Sequence, residues 1–255
     1  SFDVIVVGAG HAGCEAALAA ARMGCETLLL NLSLDTMALM ACNPSVGGLG
    51  KGQLVREIDA LGGAMGKLAD QACIHAKVLN ASRGDAVRGT RMQSDRQAYR
   101  LAMKRLLESQ PRLHLRQGHV ERLLLEGRPG GAGVRVAGIE IAGGLCFRAR
   151  AVVLATGTFL NGLIHIGGWR TAAGRAGEES ATALALQLRD LGFEVGRLKT
   201  GTPPRLRRSS IDFSRMEVHR GDECPRPFSF DTDPAGFAPV QIPSHMTWTS
   251  PETHR

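Results

Sequence analysis

Residues 3–7 (DVIVV) form a short apolar run that stops at Gly8-Ala9-Gly10-His11-Ala12-Gly13. An alanine-rich stretch of helical character follows to Met23, and a second apolar run occupies 26–30. Strand, glycine turn, helix and strand within about 30 residues predict one βαβ unit. Further on, Leu54–Leu61 carries a helical pattern behind a loop holding Pro44 and Gly47, Gly48, Gly50 and Gly52. Residues 94–109 read as an amphipathic helix with Ser94 or Asp95 as N-cap and Pro111 just past its end. Runs 113–116, 118–125 and 134–140 predict strands, with a turn over Gly127–Gly133 between the last two. The run C-F-R-A-R-A-V-V-L-A-T-G predicts a strand closing on Ala155-Thr156-Gly157. A helix is expected over 180–191, ending at Gly192, and then a strand over 193–198. Beyond 200 no strong period survives, and seven of the eleven prolines fall between 203 and 243.

The glycines sharpen this pattern. In G-x-G-x-x-G placed between strand and helix, Gly8 makes the tight turn, Gly10 admits a pyrophosphate, and Gly13 lets helix and strand pack closely. The helix N-terminus then offers amide donors to phosphate. The expected fold class is therefore α/β, Rossmann-like. An acid is usual about 20 residues on, where it binds a ribose hydroxyl; that position is Asn31, which leaves NAD and FAD both open. The later G-G-L-G-K-G is not a P-loop, since Ser45 stands at its first glycine position and Gly52 replaces the magnesium-binding Ser or Thr.

Composition excludes several classes. With 44% hydrophobic and 22% charged residues over 255 positions, the chain can build a core and is neither disordered nor fibrous. No apolar run approaches the ~18 residues of a membrane span. Six cysteines without C-x-x-C spacing fit reduced thiols in a cytosol better than a zinc site or a disulfide scaffold, and no metal is expected. Net charge is +7, carried by 26 Arg against 5 Lys. Residues 77–105 hold 8 bases against Asp85 and Asp95, whereas 1–60 holds 3 bases and 6 acids. Lys77, Arg83, Arg88, Arg91, Arg96 and Arg100 form the main cluster, with 91, 96 and 100 spaced as on one helical face. It reads equally as a solvated flank or as a phosphate-binding surface.

Longer blocks are more specific than the glycine turn. They are A-C-N-P-S-V-G-G-L-G-K-G-Q-L-V-R-E-I-D-A-L-G-G (41–63), K-V-L-N-A-S-R-G-D-A-V-R-G-T-R-M-Q-S-D-R-Q-A-Y-R (77–100), A-T-G-T-F-L-N-G-L-I-H-I-G (155–167) and G-R-L-K-T-G-T-P-P-R-L (196–206). With G-A-G-H-A-G they resemble the MnmG (GidA) family from residue 2 to about 230. That resemblance implies a flavoprotein of the two-dinucleotide-binding type, with an FAD-binding domain over 1–200 and the incomplete beginning of an inserted NAD-binding-like domain over 201–255. It implies FAD as cofactor and NADH as reductant. Methylenetetrahydrofolate is the implied one-carbon source, and the implied product is a carboxymethylaminomethyl-type group on C5 of the tRNA wobble uridine. It also implies a cytoplasmic homodimer joined to an MnmE-type GTPase, with no membrane.

Carried onto this chain, the FAD diphosphate loop is Gly8, Ala9, Gly10, His11, Ala12 and Gly13. Another family contact falls on Val120, and a family serine aligns with Ala181, next to Ser180. Asn31, Thr156, Gly157 and Ser180 complete the candidate cofactor set. Cys42 is the candidate catalytic thiol, because uridine C5 becomes nucleophilic only after addition at C6. From position alone, Cys42 reads as well as a small buried hydrophobe. The other five cysteines are expected to be structural. Family members are more than twice as long, so this chain is expected to be the N-terminal part of such a protein. A generic flavoprotein oxidoreductase and a catalytically inactive truncated subunit are the competing readings.

Overall fold

The computed structural model describes residues 1–127 and 133–254. From the N-terminus the elements are β1 (Phe2–Val7), α1 (His11–Arg22), β2 (Thr27–Asn31), β3 (Ser45–Gly47), α2 (Lys51–Ala60) and α3 (Met65–Gln71). Then come β4 (Cys73–Leu79), β5 (Gly89–Ser94), α4 (Arg96–Ser109), β6 (Leu113–Gln117), β7 (Val120–Glu126), β8 (Arg135–Ile141) and β9 (Cys146–Leu154). The hairpin strands β10 (Leu163–Ile166) and β11 (Trp169–Ala172), the helix α5 (Thr182–Asp190), and the short strands β12 (Glu217–His219) and β13 (Ser244–Met246) complete the set. The turn expected over Gly127–Gly133 lies mostly outside the described residues. The chain divides into two compact units, Ser1–Leu39 with Arg100–Lys199, and Met40–Tyr99 with Thr200–Arg255.

The first unit is built on a six-stranded sheet of order β6-β2-β1-β9-β8-β7. β6, β2, β1 and β9 run parallel, while β9, β8 and β7 form an antiparallel meander. β9 serves both halves: Cys146–Arg148 pair with β8, and Ala149–Leu154 pair with β1. One face of α1 is buried through Cys14, Ala17, Leu18 and Ala21, the i, i+3, i+4, i+7 spacing of a helix seated on a sheet. The core brings Ile5, Val7, Leu28, Leu30, Val120 and Ile139 together with Leu184 of α5. Gln187 of α5 accepts from the Leu123 N–H at 2.7 Å and donates to the Leu123 carbonyl at 2.9 Å, so a side chain closes part of the open edge of β7. The α/β Rossmann-type fold expected from the βαβ pattern is the one observed.

The second unit holds a sheet of order β3-β5-β4 with α2 and α3. Its other half comes from beyond residue 200. The outer edge of β4 is occupied by loop backbone and side chains: the Ile242 N–H donates to the Ile74 carbonyl, the Asp222 N–H to the Ala76 carbonyl, and the Val78 N–H to the Asp222 carboxylate, at 2.7, 2.9 and 2.8 Å. Residues 227–232 are held more deeply. Asp70 accepts from the N–H groups of Phe228 and Ser229 and from the Thr232 hydroxyl, and Asp59 accepts from the Phe230 N–H. Arg56 donates to the carbonyls of Pro227 and Phe228, and the Phe228 ring is fully buried.

Residues 40–99 have their polar and apolar partners in 200–255, and the two segments form one compact unit. One expectation is corrected. Residues 193–198 are not a strand: their alternation finds no neighbouring strand among the described residues, and Phe193, Val195 and Leu198 stay exposed. Helix α4 matches expectation, with Asp95 as N-cap accepting from Gln97 and Ala98 at 2.9 Å each.

Asp70 makes a pH-dependent prediction. Burial pushes its carboxyl above the usual carboxylate range, against its three hydrogen bonds and with a smaller push from Asp59. A raised folded-state pKa means that the folded state keeps a proton which the unfolded chain has already released. Stability therefore falls as pH rises from the ordinary carboxylate range through the raised value. Asp70→Asn should remove that slope. At neutral pH it should cost about 1–3 kcal/mol, because an amide NH2 must face backbone donors. Urea unfolding of both proteins from pH 4 to 8 measures this; parallel curves would refute it.

Candidate functional site

The glycine turn sits where parallel strands end. The Gly8 N–H donates to the Leu30 carbonyl and the Ala155 N–H to the Val7 carbonyl, each at 2.8 Å, so the ends of β2, β1 and β9 meet at one place. The glycines there are not equivalent. Gly8 has φ +97, and a Cβ on it would lie 2.5 Å from the Ala155 carbonyl oxygen. A Cβ on Gly13 would overlap the Gly8 carbonyl oxygen. At Gly10, with φ −70, an added Cβ meets nothing within 4 Å. Two glycines are thus spent on packing, and one leaves open space over the N-terminus of α1. That helix has no side-chain cap and no acid in its first turn. A diphosphate fits this arrangement, in which amide donors and the positive end of the helix face an unobstructed approach.

Asn31 ties the turn together. Its side-chain carbonyl accepts from the Ala9 N–H at 3.1 Å, and its NH2 donates to the Ser33 carbonyl at 2.6 Å and to the Thr36 hydroxyl at 3.1 Å. The Ala38 N–H donates to the Ala9 carbonyl at 2.8 Å. Burial holds the His11 imidazole below its usual pKa, so the residue enters the loop neutral. Thr156 and Gly157 follow directly on β9, beside the close contact between Gly8 and Ala155. Val120 is buried at the start of β7, two residues beyond Gly118, whose N–H donates to the Asn31 carbonyl at 2.9 Å. His119 Nδ1 lies 3.4 Å from the Glu179 carboxylate, which draws the Val120 and Ser180 segments together. The Ser180 hydroxyl donates to the Phe159 carbonyl, and Ala181 is buried. The glycine turn, Asn31, Thr156 and Gly157 therefore gather where β1, β2 and β9 end, and the Gly118–Asn31 bond and the His119–Glu179 contact bring the Val120 and Ser180 segments toward them. The network around Asn31 was not legible in the motif, which gives no partner for a residue standing where an acid is usual.

Cys42 lies in the second unit, half-buried in the loop before β3. Arg205 donates to the carbonyls of Ala41 and Cys42 at 3.1 and 3.2 Å, and Arg96 donates to the Cys42 carbonyl at 3.3 Å. The thiol points to the Gly201 carbonyl at 3.4 Å. Two guanidinium groups from segments over 100 residues apart in sequence therefore hold this cysteine's backbone, while its sulfur donates weakly to the Gly201 carbonyl. Cys14 is different: burial pushes its thiol up to about 12, and it donates to the Ala9 carbonyl. Cys73 is also buried and its thiol pKa raised. Cys146 and Cys224 are exposed, so the expectation of five structural cysteines is corrected for these two.

The basic cluster does not form one helical face. Arg91 is on β5, while Arg96 and Arg100 are on α4, because Asp95 starts the helix only after Arg91. Arg96 and Arg100 donate to the carbonyls of Cys42 and Asp35, Lys77 to that of Arg220, and Arg88 pairs with Asp85. Much of this charge organises loops of the molecule itself. Among the described residues no group of three or more His, Cys, Asp and Glu could hold a metal ion, and no helix is long and apolar enough to cross a membrane.

A parallel sheet whose strand ends carry a glycine turn opening a helix, with clear space over its second glycine, defines a Rossmann-type dinucleotide-binding protein. The chain belongs to the family described as Glucose inhibited division protein A, whose sequence profile matches residues 3–255. The tRNA uridine 5-carboxymethylaminomethyl modification enzyme MnmG of Syntrophobacter fumaroxidans is 56% identical over 253 residues, covering 99% of this chain and 38% of that protein. The protein of the same name from Pelobacter propionicus is 54% identical, covering 99% of this chain and 39% of that protein. Aquifex aeolicus GidA superposes with a TM-score of 0.92 at 45% identity, over 100% of this chain and 42% of that one. The GidA-related protein from Thermus thermophilus gives 0.54 at 29% identity, over 76% and 69% of the two chains. The chain thus spans about two fifths of the length of these curated relatives.

Proposed function

We propose that this chain is the FAD-binding part of an enzyme that builds a carboxymethylaminomethyl-type group on C5 of the tRNA wobble uridine. The observation that carries the reading is the glycine turn with its open Gly10, set in a chain 56% identical to a protein named for that modification. FAD is the dinucleotide, and it supplies redox chemistry when bound. Gly10 and the α1 amides receive its diphosphate, Asn31 positions the loop, and Thr156, Gly157, Val120 and Ser180 line the same site. NADH is the reductant and methylenetetrahydrofolate the one-carbon source. The partners are tRNA, a second copy of the chain and an MnmE-type GTPase, in the cytoplasm.

Cys42 serves as the nucleophile. Addition of its sulfur to uridine C6 moves electron density to C5, which then bonds the one-carbon electrophile. Loss of the C5 proton and of the thiolate restores the ring, leaving the cysteine unchanged. The guanidinium groups of Arg96 and Arg205 act on the Cys42 backbone and fix where the sulfur stands.

The test is Cys42→Ser in a protein that carries this sequence together with the remaining length of its relatives. Modified uridine, read by mass spectrometry of tRNA incubated with NADH, FAD, methylenetetrahydrofolate, an amine donor and the GTPase, should fall at least ~1,000-fold, as for loss of a nucleophile. Melting temperature and flavin absorbance should stay within error of the parent. Modification by the Ser variant would remove the thiol from the mechanism. Activity on a small molecule but not on tRNA would favour a general flavoprotein oxidoreductase.

A further inference from the structure

Asn31 stands at the end of β2, where a dinucleotide-binding sheet ordinarily presents an acid to the ribose hydroxyls. An amide there could play the same part by accepting from a hydroxyl. Its bonds show another use. The side-chain carbonyl accepts from the Ala9 N–H, between the first two glycines of the turn, and the NH2 donates to the Ser33 carbonyl and the Thr36 hydroxyl. The Thr36 hydroxyl in turn donates to the Ser33 carbonyl at 3.0 Å. Both amide protons and one side of the amide oxygen are thus spent inside the protein. The partners also fix which way the amide faces, since the Ala9 N–H can only donate and the Ser33 carbonyl can only accept. Ala9 is buried, so its N–H has no water to turn to if this bond is lost. No acid stands in nearby. Residues 27–34 carry none, and the Asp35 carboxylate lies on the surface with Lys104 Nζ at 2.8 Å.

We propose that Asn31 is a positioning residue for the diphosphate turn and does not bind the adenosine ribose, so that the acid usual at this place would be the wrong residue here. The proposal rests on the FAD reading above and adds a constraint on how that site is built. An aspartate would accept from Ala9 as the amide does. Ionised, it has no proton for the Ser33 carbonyl, which would meet a carboxylate oxygen where an NH2 now donates at 2.6 Å. It would also bring a negative charge to the turn that receives a diphosphate. Protonated, it regains one donor and loses the charge. Installing the usual acid therefore costs affinity, and lowering the pH returns part of it.

The test follows FAD binding by flavin fluorescence in a protein that carries this sequence together with the remaining length of its relatives. Asn31→Asp should bind FAD about tenfold more weakly than the parent at pH 8, and the deficit should shrink as the pH falls to 5. The charged groups around the turn are common to both proteins: His11 of α1, Arg116 of β6, Asp35 with Arg100 and Lys104, and His119 with Glu179. The parent's own pH profile therefore removes them. Asn31→Ala should weaken FAD and an FAD analogue lacking the adenosine 2′-hydroxyl by the same factor, because a side chain that does not touch the ribose cannot sense its hydroxyl. Thr36→Val takes one partner from the amide and leaves β2 intact; it should cost about two- to threefold in affinity even if the Asn31 variants fold poorly. Asn31→Asp binding FAD as well as the parent at pH 8 would overturn the proposal and make residue 31 a ribose ligand. So would an Asn31→Ala protein that no longer tells the two flavins apart when the parent does. Either result leaves the FAD reading standing, whereas a parent that binds no FAD would overturn both.

Discussion

Gly10→Val is expected to abolish flavin binding while leaving the protein folded, and Gly13→Ala is expected to do the reverse kind of damage. The two substitutions act on the same turn, three residues apart. At Gly10 the backbone is in an ordinary region, and an added Cβ meets nothing within 4 Å, so the folded state accepts a side chain there. What the side chain fills is the approach to the α1 amides. Flavin absorbance of purified Gly10→Val should therefore be lost, with a melting temperature within a degree or two of the cofactor-free parent. At Gly13 the added carbon overlaps the Gly8 carbonyl oxygen, a backbone atom that cannot swing aside, and Ala155 Cβ stands at 3.3 Å. Helix α1 must lift from β1, an overpacking cost of about 3 kcal/mol or more. That corresponds to roughly 6–12 °C for a chain of this size. A flavin-loaded Gly10→Val protein would remove the diphosphate from this turn, and a Gly13→Ala protein as stable as the parent would contradict the packing.

Phe228→Ala should destabilise the second unit by about 3–5 kcal/mol, as for other buried aromatics. The Phe228 ring is wholly inaccessible, and its Cζ lies so close to Gly47 that a Cβ there would come within 2.5 Å of it. Removing the ring opens a cavity under β3, and the backbone on either side is pinned by Asp70, Asp59 and Arg56, so collapse into the void is restricted. Phe228→Leu keeps most of the volume and should cost under about 2 kcal/mol. Calorimetry of the two variants separates the cavity from the side chain's chemistry. Equal melting in Phe228→Ala and parent would mean that 227–232 does not anchor the unit.

The contrast between the units shows what a sequence can disclose. β1, the glycine turn, α1 and β2 are written in consecutive residues: an apolar run, three glycines with separate tasks, and apolar positions at helical spacing. Helix α4 announces itself through Asp95 and Pro111. The second unit has no such local signature. Phe228 stands among prolines and polar residues, and what buries it is set by Gly47 and by two carboxylates some 160–170 positions earlier. Residues 193–198 show the converse, an alternating apolar pattern whose partner strand does not exist among the described residues. The candidate site divides in the same way. The positions of the glycine turn follow from spacing, but the bonds through which Asn31 holds Ala9 do not. Family blocks singled out Cys42, yet nothing in its neighbourhood announced that Arg205 would clamp its carbonyl.

The anchoring of 227–232 by Asp70 also sets a timetable for synthesis. The hydroxyl of Thr232 that completes this clamp lies 162 residues after Asp70. At about 5–20 residues per second, a ribosome needs roughly 8–30 s to make that interval. Until then α2, α3 and the three-stranded sheet lack the ring that fills their core and the peptide groups that donate to the buried Asp70 and Asp59. The β1–α1–β2 unit meanwhile has its own partners nearby and can form early. Nascent chains halted before residue 228 should accordingly bind holdase chaperones through the 40–99 segment, and chains long enough for residue 232 to have left the ribosome should be released.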